Sequence, residues 1–260
     1  MANLLSRTSK TALIDDYTYL MSNNGSSDGK TKLEDFTAVP ETSRTINLNN
    51  SMTATDINNE INTVGKYLPS GVVVTFQFAN GTYSLDNILY FNGFYGGGRI
   101  HIQGDTSQTN GLHTNHNVHL NFNNDTEGLY CLHNSCNDVH IEHLKITVDD
   151  GYRCILLHRA CYSSVSYCYI INNGQISSSS RGIEVNNGQN TYLLNNYFSN
   201  NYYAIAVFEC SKVNSTNNDD TGTQPKYGLR VALAADVGKN GTQPSGSTAD
   251  ELVNVGGEVR

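Results

Sequence analysis

The sequence predicts an all-β fold, a right-handed parallel β-helix (solenoid). A strand-like segment repeats at a period in the twenties, a second strand series runs out of phase with it, and asparagine-rich turns separate the strands. Such a repeat indicates a solenoid, because no unit buries its apolar face alone and each must stack on its neighbours. The first series steps by 26, 28, 22 and 24 residues, and its members are Gly128-Leu129-Tyr130-Cys131-Leu132, Cys154-Ile155-Leu156-Leu157, Gly182-Ile183-Glu184-Val185, Ala204-Ile205-Ala206-Val207 and Gly228-Leu229-Arg230-Val231.

Four segments of a second series each lie 8 to 10 residues after a member of the first. Two or three short strands per coil would place equivalent strands side by side in parallel sheets. Parallel sheets normally need helical crossovers, and no ten-residue amphipathic helix fits between these strands. A β-helix resolves this conflict, because the coil itself is the crossover. The members are Val139-His140-Ile141, Val165-Ser166-Tyr167, Leu193-Leu194-Asn195 and Val213-Asn214-Ser215, and Val118–Phe122 fits the same position 21 residues before Val139.

Asparagine supplies the turns between these strands. It occurs 34 times in 260 residues and often in pairs. Its side chain tolerates left-handed backbone and hydrogen-bonds its own turn. In stacked coils the amides can also form ladders from one coil to the next.

A helix is predicted over residues 54–67, ahead of the coils. Ile57, Ile61, Val64 and Leu68 are spaced as one helical face. Thr53 or Thr55 would cap its start, and Pro69-Ser70-Gly71 would end it. A strand at 72–78, a turn at 80–83, and strands at 88–91 and 99–105 are expected to follow.

Composition excludes several classes of function. The net charge of −8 argues against nucleic-acid binding and against anionic membranes, since a phosphate-binding face needs clustered lysine and arginine. The sequence contains no apolar run of 18 residues, so no membrane insertion is predicted. Its start, Met1 to Arg7, lacks the apolar stretch of a secretory signal, which indicates synthesis in the cytoplasm of the producing cell. The six cysteines form no Cys-x2-Cys pair, and no cofactor is expected.

The order of elements after residue 51 resembles pectate-lyase-like β-helices. A helix, a strand, Asn80-Gly81-Thr82-Tyr83, a further strand and Ile102-Gln103-Gly104-Asp105 follow one another as they do at the start of that fold. The resemblance spans roughly residues 51 to 231. It implies that the helix plugs the open end of the first coil and covers its apolar core.

The two ends of the chain resemble bacteriophage proteins. Residues 12–21, 23–29 and 31–36 resemble the N-terminal attachment piece of phage tail and baseplate-associated proteins. Residues 241–251 and 256–259 resemble a C-terminal segment of tail fibres and tailspike-like proteins. The resemblances imply a virion-attachment segment at 1–45, a β-helix of about seven coils at 46–231, and an irregular C-terminal cap or oligomerisation segment at 232–260.

These resemblances imply a structural, adhesive function in the phage tail. The chain would be made in the cytoplasm of the bacterial host and would assemble as a homotrimer. It would dock to other tail or baseplate proteins through residues 1–45 and present a receptor-binding surface to a host polysaccharide or other receptor. A secreted bacterial pectate-lyase-like protein is an alternative, against which the missing signal segment counts.

The other alternative is an enzyme, a tailspike-type polysaccharide depolymerase. Glycoside hydrolases use two carboxyl groups about 5 to 9.5 Å apart, and acids on neighbouring coils could supply them. The candidate catalytic residues are Asp149, Asp150 and Glu184. The competing interpretation is that they are ordinary solvated acids of the turns, since nothing in the sequence places two of them across one groove.

Tyrosine and histidine supply the candidate binding residues. Tyr169, Tyr197, Tyr202 and Tyr203 are candidates for glycan or receptor binding, because exposed tyrosine is well suited to such a surface; ordinary solenoid packing is the alternative. All eight histidines lie between residues 101 and 158. Stacked imidazoles could bind a divalent metal, although stacked outward histidines without metal are the simpler interpretation. The first pair to test for a metal is His119 and His140.

Overall fold

The computed structural model of the protein describes most of the chain beyond residue 40, and its described part is a parallel β-solenoid of about seven coils. The all-β, parallel architecture predicted from the repeats is thereby confirmed, while its handedness stays a prediction. The predicted attachment piece up to residue 40 lies outside the described residues. The structure describes residues 41–107, 116–123, 127–134, 138–149, 151–160, 162–173 and 180–260.

One helix and 24 short strands make up this part of the chain. In chain order they are β1 (Arg44–Leu48), α1 (Ala54–Asn62), β2 (Tyr67–Leu68), β3 (Val73–Phe78), β4 (Gly81–Leu85), β5 (Leu89–Tyr90), β6 (Tyr95–Gly96), β7 (Arg99–Gln103), β8 (Val118–Phe122), β9 (Leu129–Leu132), β10 (Asp138–Glu142), β11 (Lys145–Val148), β12 (Arg153–His158), β13 (Ser163–Ser166), β14 (Tyr169–Asn172), β15 (Arg181–Asn186), β16 (Thr191–Leu194), β17 (Tyr197–Ser199), β18 (Tyr203–Phe208), β19 (Lys212–Thr216), β20 (Asp219–Asp220), β21 (Tyr227–Val231), β22 (Asp236–Asn240), β23 (Ala249–Val253) and β24 (Glu258–Val259).

Three parallel sheets run along the solenoid, and each coil contributes one strand to each sheet in turn. Sheet 1 has the order β1-β3-β7-β10-β13-β16-β19-β22-β24. Sheet 2 has the order β4-β8-β11-β14-β17-β20, and sheet 3 has the order β5-β9-β12-β15-β18-β21-β23. A fourth, two-stranded sheet pairs β2 with β6.

The first repeat series forms sheet 3 in the predicted register. Leu129, Ile155, Ile183, Ile205 and Leu229 oppose one another strand by strand, and all five are buried. Burial of these branched side chains inside the coils removes their apolar surface from water, which is the main force that holds neighbouring coils together.

The second series forms sheet 1, but its register was predicted only in part. Val165 and Leu193 are partners, whereas Val139 opposes Ser163, so the residues chosen for alignment differ by two positions. The assignment of Val118–Phe122 to the same position was wrong, because this strand belongs to sheet 2, where it opposes β11. The β8 strand of sheet 2 and the β10 strand of sheet 1 both alternate apolar and polar residues. The 21-residue spacing between Val118 and Val139 therefore matched a strand of sheet 2 with a strand of sheet 1.

The helix α1 begins as predicted and ends earlier. Thr53 caps it and forms a capping box with Asp56, while the last helical residue is Asn62 rather than residue 67. Its apolar face, including Ile57 and Ile61, is buried. Asn58 ties the helix to the first strand of sheet 3, because its side-chain Nδ2 donates to the Ile88 carbonyl oxygen at 2.8 Å. Among the described residues there is no helix long and apolar enough to cross a membrane.

Two segments that were predicted to lack strands contain strands in the structure. Residues 80–83, expected to form a turn, overlap β4, in which the phenol of buried Tyr83 donates to the Leu48 carbonyl oxygen at 2.8 Å. Residues 232–260, expected to form an irregular cap, contain β22, β23 and β24, which pair in parallel with the preceding coils. The repeat therefore continues past residue 231, and whether this segment serves in oligomerisation stays a prediction.

Buried asparagine side chains link neighbouring coils, as the asparagine-rich turns predict. The Asn196 side chain donates from Nδ2 to the Val165 carbonyl oxygen at 2.8 Å and to Asn218 Oδ1 at 3.0 Å. Its Oδ1 accepts from the Cys168 backbone N–H at 3.1 Å. Asn218 in turn donates to the Leu193 carbonyl oxygen at 2.8 Å. Each amide thus satisfies backbone groups of another coil that are buried away from water.

Sheet 3 also contains a column of small residues where coils approach closely. A Cβ atom added at Gly128 would lie 2.1 Å from the Cys154 carbonyl oxygen, a backbone atom that cannot move aside. We expect Gly128→Ala to lower the free energy of unfolding by about 1–3 kcal/mol through overpacking. Urea denaturation measures this loss. In the control Gly238→Ala the nearest atom is the Oδ1 of the movable Asn214 side chain, at 3.2 Å. Equal losses in the two variants would contradict the expectation.

Candidate functional site

A groove of about 340 Å³ crosses the outer face of sheet 1. It extends over β7, β10, β13 and β16, and because neighbouring strands lie about 4.8 Å apart it spans about 14 Å along the coils. Its volume falls in the range of small-ligand pockets. The groove is lined by Arg99, Asp138, His140, Tyr162, Ser163, Ser164, Asn190, Tyr192 and Leu194.

Strand register places the groove side chains in rows. His140 opposes His101 on one side and Ser164 on the other, and Tyr192 follows Ser164 in the next strand. Asp138 opposes Arg99 in the adjacent row. One row therefore runs over four successive coils, and in it three polar side chains are followed by the aromatic ring of Tyr192.

Two tyrosines of the groove have about half of their surface exposed. Tyr162 is 48% exposed and Tyr192 is 46% exposed. An exposed tyrosine offers an apolar ring face and a hydroxyl, which suits the apolar C–H face and the hydroxyls of a sugar. With the surrounding serine, asparagine and histidine side chains, this surface has the chemistry of a saccharide-binding site.

The histidines at the edge of the groove interact with a carboxylate. The rings of His101 and His140 lie 5.4 Å apart, and His140 Nε2 lies 3.4 Å from Glu142 Oε2. The hydrogen bond from His140 holds the pKa of Glu142 below its ordinary value. Burial, reinforced by His140, lowers the pKa of His101. These shifts favour a charged Glu142 and a neutral His101, so that His101 can both donate and accept hydrogen bonds.

The structure does not bring together His119 and His140, the pair predicted to be the first to test for a metal. His119 lies on β8 in sheet 2, where its Nε2 contacts Thr147 Oγ1 at 2.8 Å, and His140 lies on β10 in sheet 1. Their expected common coil position was wrong, for the register reason given above. Burial, with a smaller effect of Lys145, lowers the pKa of His119 to about 4. Among the described residues, no group of three or more histidine, cysteine or acidic side chains is placed to hold a metal.

The three candidate catalytic acids occupy unrelated places. Asp149 is exposed in the turn after β11, where Asn173 Nδ2 donates to its Oδ1 at 2.6 Å. Asp150 lies outside the described residues. Glu184 lies in the middle of β15 in sheet 3 and is only 2% exposed. Asp149 and Glu184 therefore sit in segments of different sheets, and a catalytic role for any of the three stays a prediction.

Glu184 is the centre of an ionic cluster on sheet 3. Its Oε2 lies 2.6 Å from Arg153 Nε and is also bound by Arg181 Nη1. Arg153 extends further to Glu127 Oε1 at 2.8 Å and to the Tyr130 hydroxyl at 3.1 Å. Burial raises the pKa of Glu127, although Arg153 opposes the shift. Two guanidinium groups bind the Glu184 carboxylate. The arrangement favours a structural role, in which Glu184 links neighbouring coils, over a role as a catalytic acid.

The four candidate tyrosines divide into two pairs on different sheets. Tyr169 and Tyr197 oppose each other in sheet 2, and the Lys145 ammonium lies 5.9 Å from the centre of the Tyr169 ring. Tyr202 and Tyr203 lie at the start of β18 in sheet 3, with ring centres 4.8 Å apart. Tyr203 is only 5% exposed. The glycan-binding role of these four residues stays a prediction.

The groove on sheet 1 was not predicted as a site from the sequence. Tyr162 and Tyr192 are 30 positions apart, and neither follows a repeat member at an obvious offset. With the register shifted by two residues, Tyr192 aligns with Ser164 and His140, and the row then becomes visible.

No protein-family model matches this chain, and no curated protein matches it.

Proposed function

We propose that this protein is a structural component of a phage tail or baseplate, a β-solenoid fibre or spike that binds saccharide on the host surface through the sheet 1 groove. The observation that carries the binding function is the pair of exposed tyrosines, Tyr162 and Tyr192, set among polar side chains in a groove of about 340 Å³. A rigid scaffold of parallel sheets holds these rings in place, which limits the entropy lost on binding.

The viral assignment is supported by the ends of the sequence. Residues 12–36 resemble the attachment piece of tail and baseplate proteins, and residues 241–251 and 256–259 resemble a C-terminal segment of tail fibres. We propose that the first segment docks to other tail proteins and that the chain assembles as a homotrimer in the virion. Gold-labelled antibody against this protein on intact particles tests the location, and light scattering of the purified chain tests the trimer. Unlabelled tails or a monomer would contradict the respective proposal.

Binding is favoured over cleavage by the state of the carboxylates. Glu184 is buried and paired with two arginines, and Asp149 is held by Asn173. Glu184 shares Arg153 with the carboxylate of Glu127, so the carboxyl group beside it is also held by a guanidinium. Release of reducing ends from a bound host polysaccharide would favour the depolymerase alternative instead.

We expect Tyr192→Ala to weaken saccharide binding roughly tenfold, which corresponds to about 1.4 kcal/mol, because the variant loses the exposed ring of the groove. The measurement is titration of the polysaccharide that wild-type protein selects from an array of bacterial capsules and O-antigens. The matched control is Tyr95→Ala, which removes a ring of similar exposure (40%) from β6, a strand of the two-stranded sheet.

The two variants separate the groove from the rest of the surface. Unchanged binding by Tyr192→Ala, or equal losses in both variants, would contradict the groove as the binding site. Since both side chains are exposed, neither substitution is expected to change the unfolding midpoint, and thermal unfolding checks this.

A further inference from the structure

A second cluster of side chains on sheet 3 lies apart from the solenoid core, and we call it the guanidinium–aromatic cluster. Its buried apolar members are Tyr203, Ala206, Phe208 and Ala232, and Tyr202, Tyr227 and Leu252 pack against them. Arg181 and Arg230 lie over its rings. Register explains the assembly: Tyr203 opposes Arg181 on one side and Tyr227 on the other, and Ala206 opposes Arg230.

Both arginines lie over aromatic rings. The Arg230 guanidinium carbon lies 4.8 Å from the centre of the Tyr203 ring and 5.0 Å from that of Phe208. The Arg181 guanidinium carbon lies 5.1 Å from the Phe208 ring centre. A guanidinium stacked on a ring keeps the N–H groups at its edge available as donors.

The hydrogen bonds of these arginines are incomplete. Arg181 Nε and Arg230 Nε are buried and have no hydrogen-bond partner among the residues that the structure describes. Arg181 binds Glu184, but in the described part of the chain no carboxylate lies within ion-pair distance of Arg230. Buried charged donors are normally paired, because an unpaired one loses its water without compensation. Arg230 is half-buried, so an anion that reached its guanidinium would complete hydrogen bonds that the described residues leave open.

The side chains around the cluster include more positive than negative groups. The protein as a whole has a net charge of −8. Here, however, the two carboxylates of Glu127 and Glu184 are bound by Arg153 and Arg181. Arg230 and Lys226 remain as cations beside the rings, and the Lys226 ammonium lies 4.5 Å from the centre of the Tyr202 ring. These four cations therefore outnumber the two carboxylates, on a protein that is acidic as a whole.

We propose that the guanidinium–aromatic cluster binds an acidic sugar, with the anionic oxygens of the sugar accepting hydrogen bonds from Arg230 and the sugar ring lying against the tyrosines. The shared chemistry is an anionic group with two or more oxygens, either the carboxylate of a uronic acid or the phosphate of a sugar phosphate. A guanidinium presents a fork of donors that matches either group. The proposal extends the proposed function only in naming the class of host saccharide, and it concerns a site on a different sheet from the groove.

The test uses three monosaccharides that differ at one carbon: methyl β-D-glucuronide, methyl β-D-glucoside and the 6-phosphate of methyl β-D-glucoside. Ligand-observed NMR titration against the full chain at low salt measures their affinities. We expect at least one acidic sugar to bind at least tenfold more tightly than the neutral glucoside. Tighter binding of the glucuronide identifies a uronic acid as the source of the anion, and tighter binding of the phosphate identifies a sugar phosphate.

Arg230→Gln is expected to abolish this preference, and Arg230→Lys is expected to restore part of it through the charge alone. The control is Arg159→Gln, which removes an exposed arginine that follows β12 in the same sheet. Thermal unfolding verifies that Arg230→Gln is folded, and Tyr202→Ala, with a partly exposed ring, serves as a second variant if it is not. Equal affinity for acidic and neutral sugars, or equal effects of Arg230→Gln and Arg159→Gln, would overturn the proposal.

The proposals for the groove and for the guanidinium–aromatic cluster can be contradicted independently of each other. Loss of host polysaccharide binding in Tyr192→Ala, with no preference for acidic monosaccharides, would overturn the acidic-sugar site and leave the proposed function standing. An acidic preference that depends on Arg230, together with an unaffected Tyr192→Ala, would overturn the groove and support the cluster.

Discussion

Glu184→Gln is expected to lower the free energy of unfolding by about 3–5 kcal/mol, because it leaves two guanidinium groups without their common counter-charge in a buried site. Glu184 is 2% exposed and its Oε2 accepts from Arg153 Nε at 2.6 Å as well as from Arg181. Glutamine has the same shape, so the effect reports the charge rather than a cavity. A loss of this size is a large share of the stability of an ordinary domain.

Urea denaturation followed by circular dichroism measures the effect. The control is Glu209→Gln, which removes an exposed carboxylate just beyond the end of β18 in the same sheet, and a change within about 0.5 kcal/mol is expected there. The double variant Glu184→Gln with Arg153→Met should cost less than the sum of the two single variants, because both remove the same pairing. Additive losses would show that the ionic cluster does not act as a unit.

Asn196→Asp is expected to be almost as severe, at several kcal/mol near neutral pH, because it places a carboxylate in a site built for an amide. Asn196 is fully buried, and its Nδ2 donates to the Val165 carbonyl oxygen at 2.8 Å and to Asn218 Oδ1 at 3.0 Å. An aspartate there would set a charged oxygen against two acceptors and would lose the donor of both hydrogen bonds.

The loss in Asn196→Asp is expected to depend on pH. Burial and the neighbouring oxygens would raise the pKa of the new carboxyl in the folded state above its unfolded value of about 3.9. The folded state then binds the proton more tightly, so stability falls as pH rises from the unfolded pKa through the folded one and recovers on acidification. Unfolding midpoints between pH 4 and 8 check this against Asn254→Asp, an exposed site after β23. Parallel pH profiles for the two variants would contradict the expected burial of the charge.

The strand register of the coils could be predicted where the inward-facing positions are occupied by branched aliphatic residues. Leu129, Ile155 and Ile183 each follow a small residue and form an unbroken ladder, so their spacing alone defined the register of sheet 3. Sheet 2 was less visible, because strands such as Tyr197–Ser199 and Asp219–Asp220 are two or three residues long and carry little aliphatic signal. A strand pattern repeats every two residues, which explains the two-residue ambiguity in sheet 1.

The ionic cluster and the groove could not be predicted from the sequence for a different reason. The ion pair between Arg153 and Glu184 joins residues 31 positions apart. The alignment of His140 with Ser164 and Tyr192 likewise depends on a strand register that sequence spacing does not define. A histidine pair chosen from spacing alone fell on two sheets. Side chains meet on a solenoid surface only when the coil length between them is known residue by residue, and here the coils vary by several residues.

The direction of the backbone hydrogen bonds has a mechanical consequence. They run from coil to coil, so a pull between the ends of the described solenoid stretches all the bonds of one inter-coil boundary at once. In the middle of the solenoid such a boundary contains three strand pairs, for example β12–β15, β13–β16 and β14–β17. The last boundary contains only two, β21–β23 and β22–β24, and the second of these joins just two residues on each strand. At the other end, β1 is joined to the next coil by one strand pair, β1–β3. Under tension, separation is therefore expected to begin at the ends and to proceed inward, while the middle coils resist the greatest force.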